Sequence, residues 1–239
     1  MTPAADLATF AARIEEQGWA VTPPRVGPAA LARLAAAVAP AATVGRGRGG
    51  ARNLLDLPAV CECALSDAVW PVAVAVLGPA CVAVRGLLFD KSAAANWAVP
   101  WHRDVTIAVA GRVDTLGYGP WSAKAGVTHV QPPNAVMERI LAVRIHLDPC
   151  GPDNGPVRVL PGSHRLTNGP VPEPAECVAE AGAILAFRPL ILHASSPATR
   201  PARRRVIHLE YAAVELPAGL AWRWAVGRVG PAAGGGILG

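Results

Sequence analysis

From residue 81 onward, the chain alternates between short apolar runs and groups of glycine, proline, asparagine and aspartate. Apolar runs of about four to eight residues bounded by such turn-forming residues are typical of buried β-strands. Their recurrence restricts this part of the chain to a β-sandwich or a β-barrel. The runs occupy residues 82–89, 105–110, 140–147, 157–160, 183–187 and 206–211.

The first 80 residues show helical rather than strand periodicity. Apolar residues recur three or four positions apart over 7–14, and Gly18 is a residue that can end a helix. Residues 19–21 follow as a short edge strand, and alanine-rich segments at 29–39 and 66–77 predict two further helices. We therefore expect helices that flank the β-rich part.

The length of the chain predicts one domain over residues 1–226, with a mainly helical part over about 1–80 and a barrel over about 81–226. Within the barrel, residues 111–139 contain several glycines and prolines and show no clear period, which predicts a long loop. The glycine-rich segment 227–239 predicts a flexible tail.

Composition excludes several classes of protein. Hydrophobic residues make up 52% of the chain and charged residues 16%, which excludes general disorder. Charged residues interrupt each apolar stretch before it reaches the ~18 residues of a membrane helix, and no signal-peptide pattern is present. Four of the 22 basic residues lie in 200–205, but no nucleic-acid-binding motif surrounds them. We expect a cytoplasmic protein that binds a small molecule, and neither nucleic acid nor a membrane, with no signal for its oligomeric state.

One residue separates His102 from Asp104. On an extended strand, side chains two positions apart point to the same face, so both can bind one metal ion. A second imidazole would complete the ligand set of non-haem Fe(II) oxygenases. His193 is favoured among the six histidines because it ends an apolar run and precedes an arginine-rich segment. From spacing alone a second interpretation stays open, in which these histidines are core residues with hydrogen-bond partners.

Several longer motifs, in a fixed order, resemble the phytanoyl-CoA dioxygenase family. The matching segments are LFDK at 88–91, NW at 96–97, VPWHRDVTI at 99–107, DNGPVRVLPGSH at 153–164 and RPLILHASSP at 188–197. The resemblance extends over about residues 10–211. It implies a mainly β fold with flanking helices, a double-stranded β-helix or cupin-like jelly-roll barrel. It also implies a dioxygenase that uses Fe(II), 2-oxoglutarate and O2, with His102, Asp104 and His193 as catalytic residues and metal ligands.

The resemblance further implies where the co-substrate lies. Family members bind the distal carboxylate of 2-oxoglutarate with an arginine eleven positions after the distal histidine, which is Arg204 here. A guanidinium offers two parallel donors to a carboxylate. Ser195 matches a position that adds a hydroxyl donor, whereas Arg205 should point to the opposite face. Arg200, Arg203 and Arg205 are expected to be solvated.

Four more residues map near the co-substrate by the same resemblance. Leu87 and Lys91 lie on the strand beside it. Arg144 occupies a position where the family often has an aromatic residue, and His146 shares its strand face. For Arg144 and His146 two interpretations stay open, contact with the co-substrate or a buried polar network that stabilises the core.

Substrate contacts have weaker sequence signals. Trp97 and Trp101 flank the entry to the strand of the metal motif and are candidates for the substrate mouth. His129 and Gln131, within the long loop, are candidate lid residues. His208 and Glu210 alternate on one strand face, where we favour a structural pair over a second metal site.

The resulting hypothesis is an Fe(II)- and 2-oxoglutarate-dependent dioxygenase that hydroxylates a small-molecule metabolite and releases succinate and CO2. Two alternatives stay open. An enzyme of the same family type can catalyse desaturation, cyclisation or epimerisation, and the sequence does not separate these outcomes. A non-catalytic cupin-like module would sense metal or 2-oxoglutarate, but the presence of three candidate ligands and Arg204 favours an enzyme.

Overall fold

A computed structural model describes residues 3–44, 50–165 and 172–228 of the chain. The helices are α1 (Pro3–Gln17), α2 (Pro28–Val44), α3 (Pro58–Ala64), α4 (Trp70–Leu77) and α5 (Asn134–Met137). The strands are β1 (Trp19–Val21), β2 (Gly50–Ala51), β3 (Val82–Lys91), β4 (Val99–His102), β5 (Ile107–Val109), β6 (Trp121–Lys124), β7 (Val127–Val130), β8 (Ile140–His146), β9 (Val157–Val159), β10 (Ala175–Cys177), β11 (Ile184–Phe187), β12 (His193–Ser195) and β13 (Arg204–Ala212). The expected mainly β architecture with flanking helices is confirmed.

The strands of the described residues form three antiparallel sheets. The major sheet has six strands in the order β1-β11-β8-β13-β3-β2, and the minor sheet has four in the order β10-β9-β12-β4. A third, smaller sheet combines β5, β7 and β6. These sheets are separate and do not close into one barrel. The expected edge strand at 19–21 is confirmed, because β1 lies at the edge of the major sheet beside β11.

Strand β8, which is buried along its whole length, shows how the layers are arranged. Leu141, Val143 and Ile145 point to one face and pack in the core formed with the N-terminal helices. Ala142 points to the other face and packs near Val157 of the minor sheet. The major sheet therefore has an outer face covered by helices and an inner face that meets the minor sheet.

The helix expected over 66–77 is confirmed in its C-terminal part, and its expected start is wrong. The helix in this segment, α4, begins only at Trp70, and α3 precedes it as a separate helix without a sequence-based expectation. Pro71 lies in the first turn of α4, where its missing N–H needs no acceptor. Proline therefore marks where the helix begins. The helix expected over 29–39 is confirmed as the longer α2, which contains Pro40.

The long loop expected over 111–139 is also wrong, because this segment contains β6, β7 and α5. Strand β7 pairs with both β5 and β6. The turn between β6 and β7 consists of Ala125 and Gly126, whose φ angles are 50° and 78°. Two consecutive residues with positive φ are what a type I′ hairpin turn requires. Alanine is unusual there, so the sequence lacked the customary Asn-Gly or Asp-Gly signal of a hairpin.

Two other features complete the description. Strands β2 and β10 have only two and three residues and were not expected from the sequence. The tail expected at 227–239 lies outside the described residues beyond position 228. Within the described ranges, no helix combines the length and the apolar character that a membrane span needs.

Candidate metal and co-substrate site

The inner face of the major sheet forms the wall of a polar cavity. Strand β3 contributes every second residue from Arg85 to Lys91, because alternate side chains of a strand share one face. Strand β13 contributes Arg204 and His208, and β8 contributes Arg144. The strand register aligns these side chains, since Arg204 pairs with Lys91 and His208 pairs with Arg144. Cationic side chains therefore dominate this wall.

Opposite this wall, three potential metal ligands meet. Strands β4 and β12 pair so that His193 lies across from His102. The distance from His102 Nε2 to Asp104 Oδ1 is 3.7 Å, and that from His193 Nε2 to Asp104 Oδ2 is 3.6 Å. The two imidazole centroids are 4.2 Å apart. One ligand atom from each residue lies within 4.8 Å of the other two, which is close enough to hold one ion.

Backbone carbonyls determine the orientation of both imidazoles. His102 Nδ1 lies 2.8 Å from the carbonyl oxygen of Pro100, and His193 Nδ1 lies 2.9 Å from that of Ile191. A carbonyl oxygen can only accept, so Nδ1 carries the proton and the lone pair of Nε2 points towards Asp104. Burial lowers the pKa of His193 to about 4, although Asp104 acts in the opposite direction. His193 is therefore neutral, which is the form that binds metal.

Asp104 reaches the site from outside the strand. The sequence-based interpretation places His102 and Asp104 on one strand, but β4 ends at His102. The backbone N–H of Asp104 instead donates to the carbonyl of Pro189 at 2.9 Å, which directs its side chain into the cavity. Burial acts to raise the pKa of Asp104, but nearby positive charge, including that of Arg85, outweighs it and lowers the pKa. The carboxyl group is therefore ionised.

Arg204 and Arg205 point to opposite sides of β13, as strand alternation predicts. The guanidinium of Arg204 is buried, and its Nη1 donates to the carbonyl of Gly155 and, at 3.4 Å, to Cys150 Sγ. Its Nε has no hydrogen-bond partner among the described residues. Arg205 instead binds both oxygens of Asp148, at 2.8 Å and 2.7 Å. Arg204 thus retains a donor that faces no protein acceptor.

The expectation that Arg203 and Arg205 are solvated is wrong in one respect, because both form ion pairs. Arg203 donates to the two oxygens of Asp90 at 3.3 Å and 3.0 Å, and Arg205 is half-buried against Asp148. Arg200 is exposed and lies 3.7 Å from Asp153. These pairs lie outside the cavity and leave Arg204 as the arginine of this segment that lines it.

Ser195 and Lys91 meet beside Arg204. Lys91 Nζ donates to Ser195 Oγ at 3.1 Å and to the carbonyl of Ser196 at 3.3 Å. Burial, then the like charges of Arg204 and Arg144, lower the pKa of Lys91 to about 8. A hydroxyl and an ammonium group therefore lie next to the guanidinium, in a part of the cavity where the cationic side chains have no carboxylate partner among the described residues.

Arg144 and His146 differ in their relation to the cavity. Arg144 lines it, with its guanidinium 4.8 Å from the centroid of Phe89 and its Nε buried without a partner among the described residues. Burial and the charge of Arg204 lower the pKa of Arg144 to about 10. His146 does not line the cavity, and both its ring nitrogens are buried without partners in the described chain. Burial, assisted by Arg144 and Arg204, lowers the pKa of His146 to about 3.

His208 and Glu210 form the expected pair, with 3.5 Å between His208 Nε2 and Glu210 Oε1. Arg85 is a third member that the sequence did not predict. Its Nη2 donates to the same carboxylate oxygen of Glu210. Ligand atoms of Asp104, His208 and Glu210 also lie within 4.8 Å of one another. The guanidinium of Arg85 already supplies a positive charge to Glu210, so this group is a buried ionic network rather than a second metal centre.

The structure separates the four residues proposed for substrate contact. Trp97 lines the cavity, and its ring lies 5.1 Å from Lys91 Nζ. Trp101 points outward and is 40% exposed. His129 is buried, with Nδ1 3.0 Å from the carbonyl of Val127. Gln131 pairs through its backbone with residues 119–120. Of the four, Trp97 is the residue that the structure brings to the cavity.

Two residues of β3 that line the cavity were missed by the sequence analysis. Leu87 lines the cavity as expected, but Arg85 and Phe89 line it as well. The signal for both was present, because positions 85 and 89 have the same parity as Leu87 and Lys91 along β3. Strand alternation applied over the whole run would have identified them.

Two facing antiparallel sheets, with two imidazoles and one carboxylate in the cavity between them, define a cupin-like non-haem metal enzyme. The chain belongs to the phytanoyl-CoA dioxygenase family, whose sequence profile matches residues 14–206. This family consists of oxygenases that use Fe(II), 2-oxoglutarate and O2 and act on small-molecule substrates. The family, enzyme class and cofactors expected from the sequence are thereby confirmed. No curated protein sequence matches the chain significantly.

Solved structures share the fold over most of the chain. AviO1 from Streptomyces viridochromogenes Tue57 has a TM-score of 0.64 at 23% identity, with 91% of this chain and 98% of that chain covered. HygX from Streptomyces hygroscopicus, with nickel and 2-oxoglutarate bound, has a TM-score of 0.62 at 15% identity, covering 89% and 87%. The epimerase SnoN from nogalamycin biosynthesis has a TM-score of 0.66 at 15% identity, covering 88% and 84%. At these identities the likeness concerns the fold, and it confirms the cupin-like jelly-roll architecture.

Proposed function

We propose that this chain is a dioxygenase that hydroxylates a small-molecule metabolite and releases succinate and CO2. In this proposal, His102, Asp104 and His193 bind Fe(II), and Arg204 binds the distal carboxylate of 2-oxoglutarate. One observation carries it: two oriented imidazole Nε2 atoms and an ionised carboxylate share a cavity with a buried guanidinium that has an unpartnered donor.

The donor set fits Fe(II). Two imidazoles and one carboxylate leave coordination positions open, which a chelating co-substrate and O2 require. Both imidazoles have their second nitrogen hydrogen-bonded to a backbone carbonyl, an arrangement that orients metal-binding histidines. A structural zinc site has four protein ligands, whereas the group at His102 contains three among the described residues. The site therefore has the character of a catalytic metal centre.

The cavity also fits a dicarboxylate. Arg204 offers an unpartnered Nε, and Ser195 and Lys91 add a hydroxyl and an ammonium group beside it. We assign the distal carboxylate of 2-oxoglutarate to these three residues, because charge-assisted hydrogen bonds to a carboxylate are roughly twice as strong as hydrogen bonds between neutral groups. Ser195 lies two positions after His193 on β12, so the co-substrate site and the metal site share one strand.

Arg144, Leu87 and His146 receive different roles. We assign Arg144 to the co-substrate, because it lines the cavity and has a buried donor without a protein partner. Leu87 contributes an apolar wall. His146 lies on the same face of β8 but outside the cavity, so we assign it to the core.

Bound iron and 2-oxoglutarate together supply the oxidising chemistry with O2. The residues of the chain orient these groups and restrict water. Asp104 stays ionised because nearby positive charge, including that of Arg85, lowers its pKa. Phe89 and Val157 add apolar surface to the cavity, and Trp97 lies where the cavity opens. Exclusion of water by these apolar side chains would strengthen each electrostatic contact to the co-substrate.

Hydroxylation is distinguished from epimerisation or cyclisation by the fate of the oxygen atom. The epimerase SnoN shows that the same fold also accommodates a different outcome. A screen of candidate metabolites for stimulated succinate formation identifies a substrate, and repeating the reaction under 18O2 then separates the outcomes. Mass spectrometry should detect one 18O atom in the product. A product without 18O would show that the enzyme catalyses another oxidative reaction instead of hydroxylation.

Binding is tested separately under anaerobic conditions. Addition of Fe(II) and 2-oxoglutarate should give a weak visible charge-transfer band, together with saturable binding by calorimetry. His193→Ala should abolish the band and reduce iron content while circular dichroism stays unchanged. His164→Gln is a matched control, because His164 lies outside the cavity and contacts the carbonyl of Glu15. Binding of both ligands without O2-dependent succinate formation would favour a sensor.

A further inference from the structure

A groove leads outward from the metal cavity. Its wall includes Leu87, Phe89 and Trp97, which also line the cavity, and it continues past β2 to Arg52. Arg52 is exposed and follows β2 directly, so it lies at the outer end of a continuous surface that begins at the metal ligands. A substrate that reaches the iron through this groove passes the guanidinium of Arg52.

A second cation, Lys124, is brought near Arg52 by a hydrogen bond between the segments that contain them. Asn53, the residue after Arg52, donates from Nδ2 to the carbonyl of Ala125 at 3.0 Å. Ala125 follows Lys124, the last residue of β6, so this contact joins the segment of Arg52 to the hairpin of Lys124. The two residues belong to segments 72 positions apart in the chain. Their proximity is a product of the fold.

The wall behind Lys124 connects to the cavity. Lys124 Nζ donates to Thr106 Oγ1 at 3.2 Å, and the carbonyl of the same threonine accepts from Arg85 Nη1 at 3.1 Å. Arg85 lines the metal cavity. Lys124 is therefore connected through one residue, Thr106, to the inner wall of the cavity.

The backbone at this contact is unusual. Asn53 and Ala125 are the two non-glycine residues with positive φ in the described part of the chain, at 62° and 50°. Such conformations cost free energy and persist where the surrounding structure enforces them, frequently at functional sites. The two strained residues are hydrogen-bonded to each other, and each is adjacent to one of the two cations.

Neither cation has an acidic partner among the described residues, whereas the exposed Arg112 pairs with Asp114. Partial desolvation, followed by the charge of Arg85, lowers the pKa of both Arg52 and Lys124, and the charge of Arg52 also lowers that of Lys124. These side chains thus repel one another in the absence of an anion. A bound oxyanion would remove that repulsion.

The charge inside the cavity also favours an anionic ligand. Four cationic side chains line it, and the nearby carboxylates are Asp104 and Glu210. The cations are Arg85, Lys91, Arg144 and Arg204. Fe(II) and dianionic 2-oxoglutarate neutralise each other, so the loaded site keeps an excess of positive charge. Clefts lined by one sign of charge attract ligands of the opposite sign.

We propose that Arg52 and Lys124 form a clamp at the mouth of the cavity that binds an oxyanion, a carboxylate or phosphate group, of the small-molecule substrate. This inference rests on the proposed function, because it assigns the groove to the substrate of the same site. The clamp holds the acidic end of the substrate outside the cavity, while the remainder extends past Trp97 towards the metal.

The test uses probes instead of the unidentified substrate. The protein is loaded with Mn(II), which replaces Fe(II) without redox chemistry, and with saturating 2-oxoglutarate. Inorganic phosphate is titrated in one arm and [1-13C]acetate in the other, and paramagnetic broadening of the 31P or 13C resonance measures binding near the metal. Zn(II)-loaded protein provides the diamagnetic reference. The variant is Arg52→Gln/Lys124→Gln, and Arg33→Gln is the matched control, because Arg33 is exposed on α2 beside a different pocket.

At least one anion should show saturable broadening with the wild type and the Arg33→Gln control. The double variant should bind it at least about tenfold more weakly, equal to ~1.4 kcal/mol. The arm that responds identifies carboxylate or phosphate as the preferred group. Broadening that is equal in the double variant, or absent in both arms, overturns the clamp. The 2-oxoglutarate dissociation constant, measured on the same samples, should not change in the double variant, and failure of wild type to bind Mn(II) and 2-oxoglutarate would instead overturn the proposed function.

Discussion

Lys91 on β3 lies directly opposite Arg204 on β13 in the antiparallel register, so the two cations face one cavity. Neither forms a salt bridge with an acidic residue in the described ranges, and their like charges contribute to the lowered pKa of Lys91. A carboxylate placed between them exchanges this repulsion for two attractions. If the co-substrate binds as proposed, both residues should report its binding.

Replacing Arg204 by alanine should weaken 2-oxoglutarate binding by roughly 30-fold to several-thousand-fold. Truncation leaves the distal carboxylate buried without its partner, which typically costs ~2 to 5 kcal/mol, at ~1.4 kcal/mol per tenfold change. Arg205→Ala is the matched control, because Arg205 contacts Asp148 outside the cavity. It should change the dissociation constant by less than about threefold. Anaerobic calorimetry with Fe(II) measures both, and a large loss in Arg205→Ala alone would contradict the assignment.

The affinity for 2-oxoglutarate should depend on the protonation of Lys91. Burial, Arg204 and Arg144 lower the pKa of Lys91 to about 8, and only the ammonium form attracts the co-substrate. The affinity for 2-oxoglutarate is therefore highest well below pH 8, where Lys91 is fully protonated. It falls as the pH rises through this value, by at most about tenfold per pH unit for one linked proton. Lys91→Met should bind more weakly at pH 7 and show a flat profile between pH 7 and 9.5. Identical slopes in both proteins would assign the pH dependence to another group.

His146 should destabilise the protein in acid. Burial and the neighbouring arginines lower its pKa to about 3 in the folded state, from an ordinary value of 6.5. As the pH falls below 6.5, the unfolded chain takes up a proton that the folded chain excludes, so the free energy of unfolding decreases by up to ~1.4 kcal/mol per pH unit. His146→Leu removes this contribution. Urea unfolding of metal-free protein at pH 7.5, 6 and 5 measures the free energy of unfolding of both proteins. This free energy should fall less steeply from pH 6 to pH 5 in the variant than in the wild type, and an equally steep fall in the variant would refute the account.

Ala125→Gly should raise the free energy of unfolding by about 1 kcal/mol. Ala125 has a φ of 50°, which is strained for an L-residue with a Cβ atom and accessible to glycine. The carbonyl that accepts from Asn53 is retained, because it belongs to the backbone. Ala123→Gly is the control, since Ala123 is exposed within β6 and glycine there should cost ~0.5 to 1 kcal/mol. Stability changes of the same sign in the two variants would exclude backbone strain at position 125.

Long strands with strong apolar periodicity were predictable. The run at 140–147 corresponds to β8, and that at 206–211 corresponds to the centre of β13, whose pattern also placed Arg204 inside and Arg205 outside. The hairpin of β6 and β7 was not predictable in this way. Its strands have four residues each and mixed polarity, and pairing with β5 stabilises them, so their structure depends on tertiary context rather than on local propensity.

The site was predictable to the extent that it depends on alternation and on family motifs. His102, Asp104 and His193 do meet, although Asp104 lies beyond the end of β4. Trp101 does not line the cavity, because alternation along β4 turns it away from His102. The role of Arg85 depends on Glu210, which lies 125 positions later, and no local pattern indicates a contact at that separation.

Strand β12 also has a consequence for the choice of 2-oxo acid. His193 and Ser195 are two positions apart on it, and two residues of a strand span about 6.5 to 7 Å. The metal end and the distal anchor of the proposed co-substrate site are thus separated by the repeat length of the backbone, which side-chain rearrangement does not alter. In the proposed site, this fixed spacing suits a diacid of five carbons. Oxaloacetate is one carbon shorter and 2-oxoadipate is one carbon longer. Each is expected to reach either the metal or the distal anchor, but not both at once.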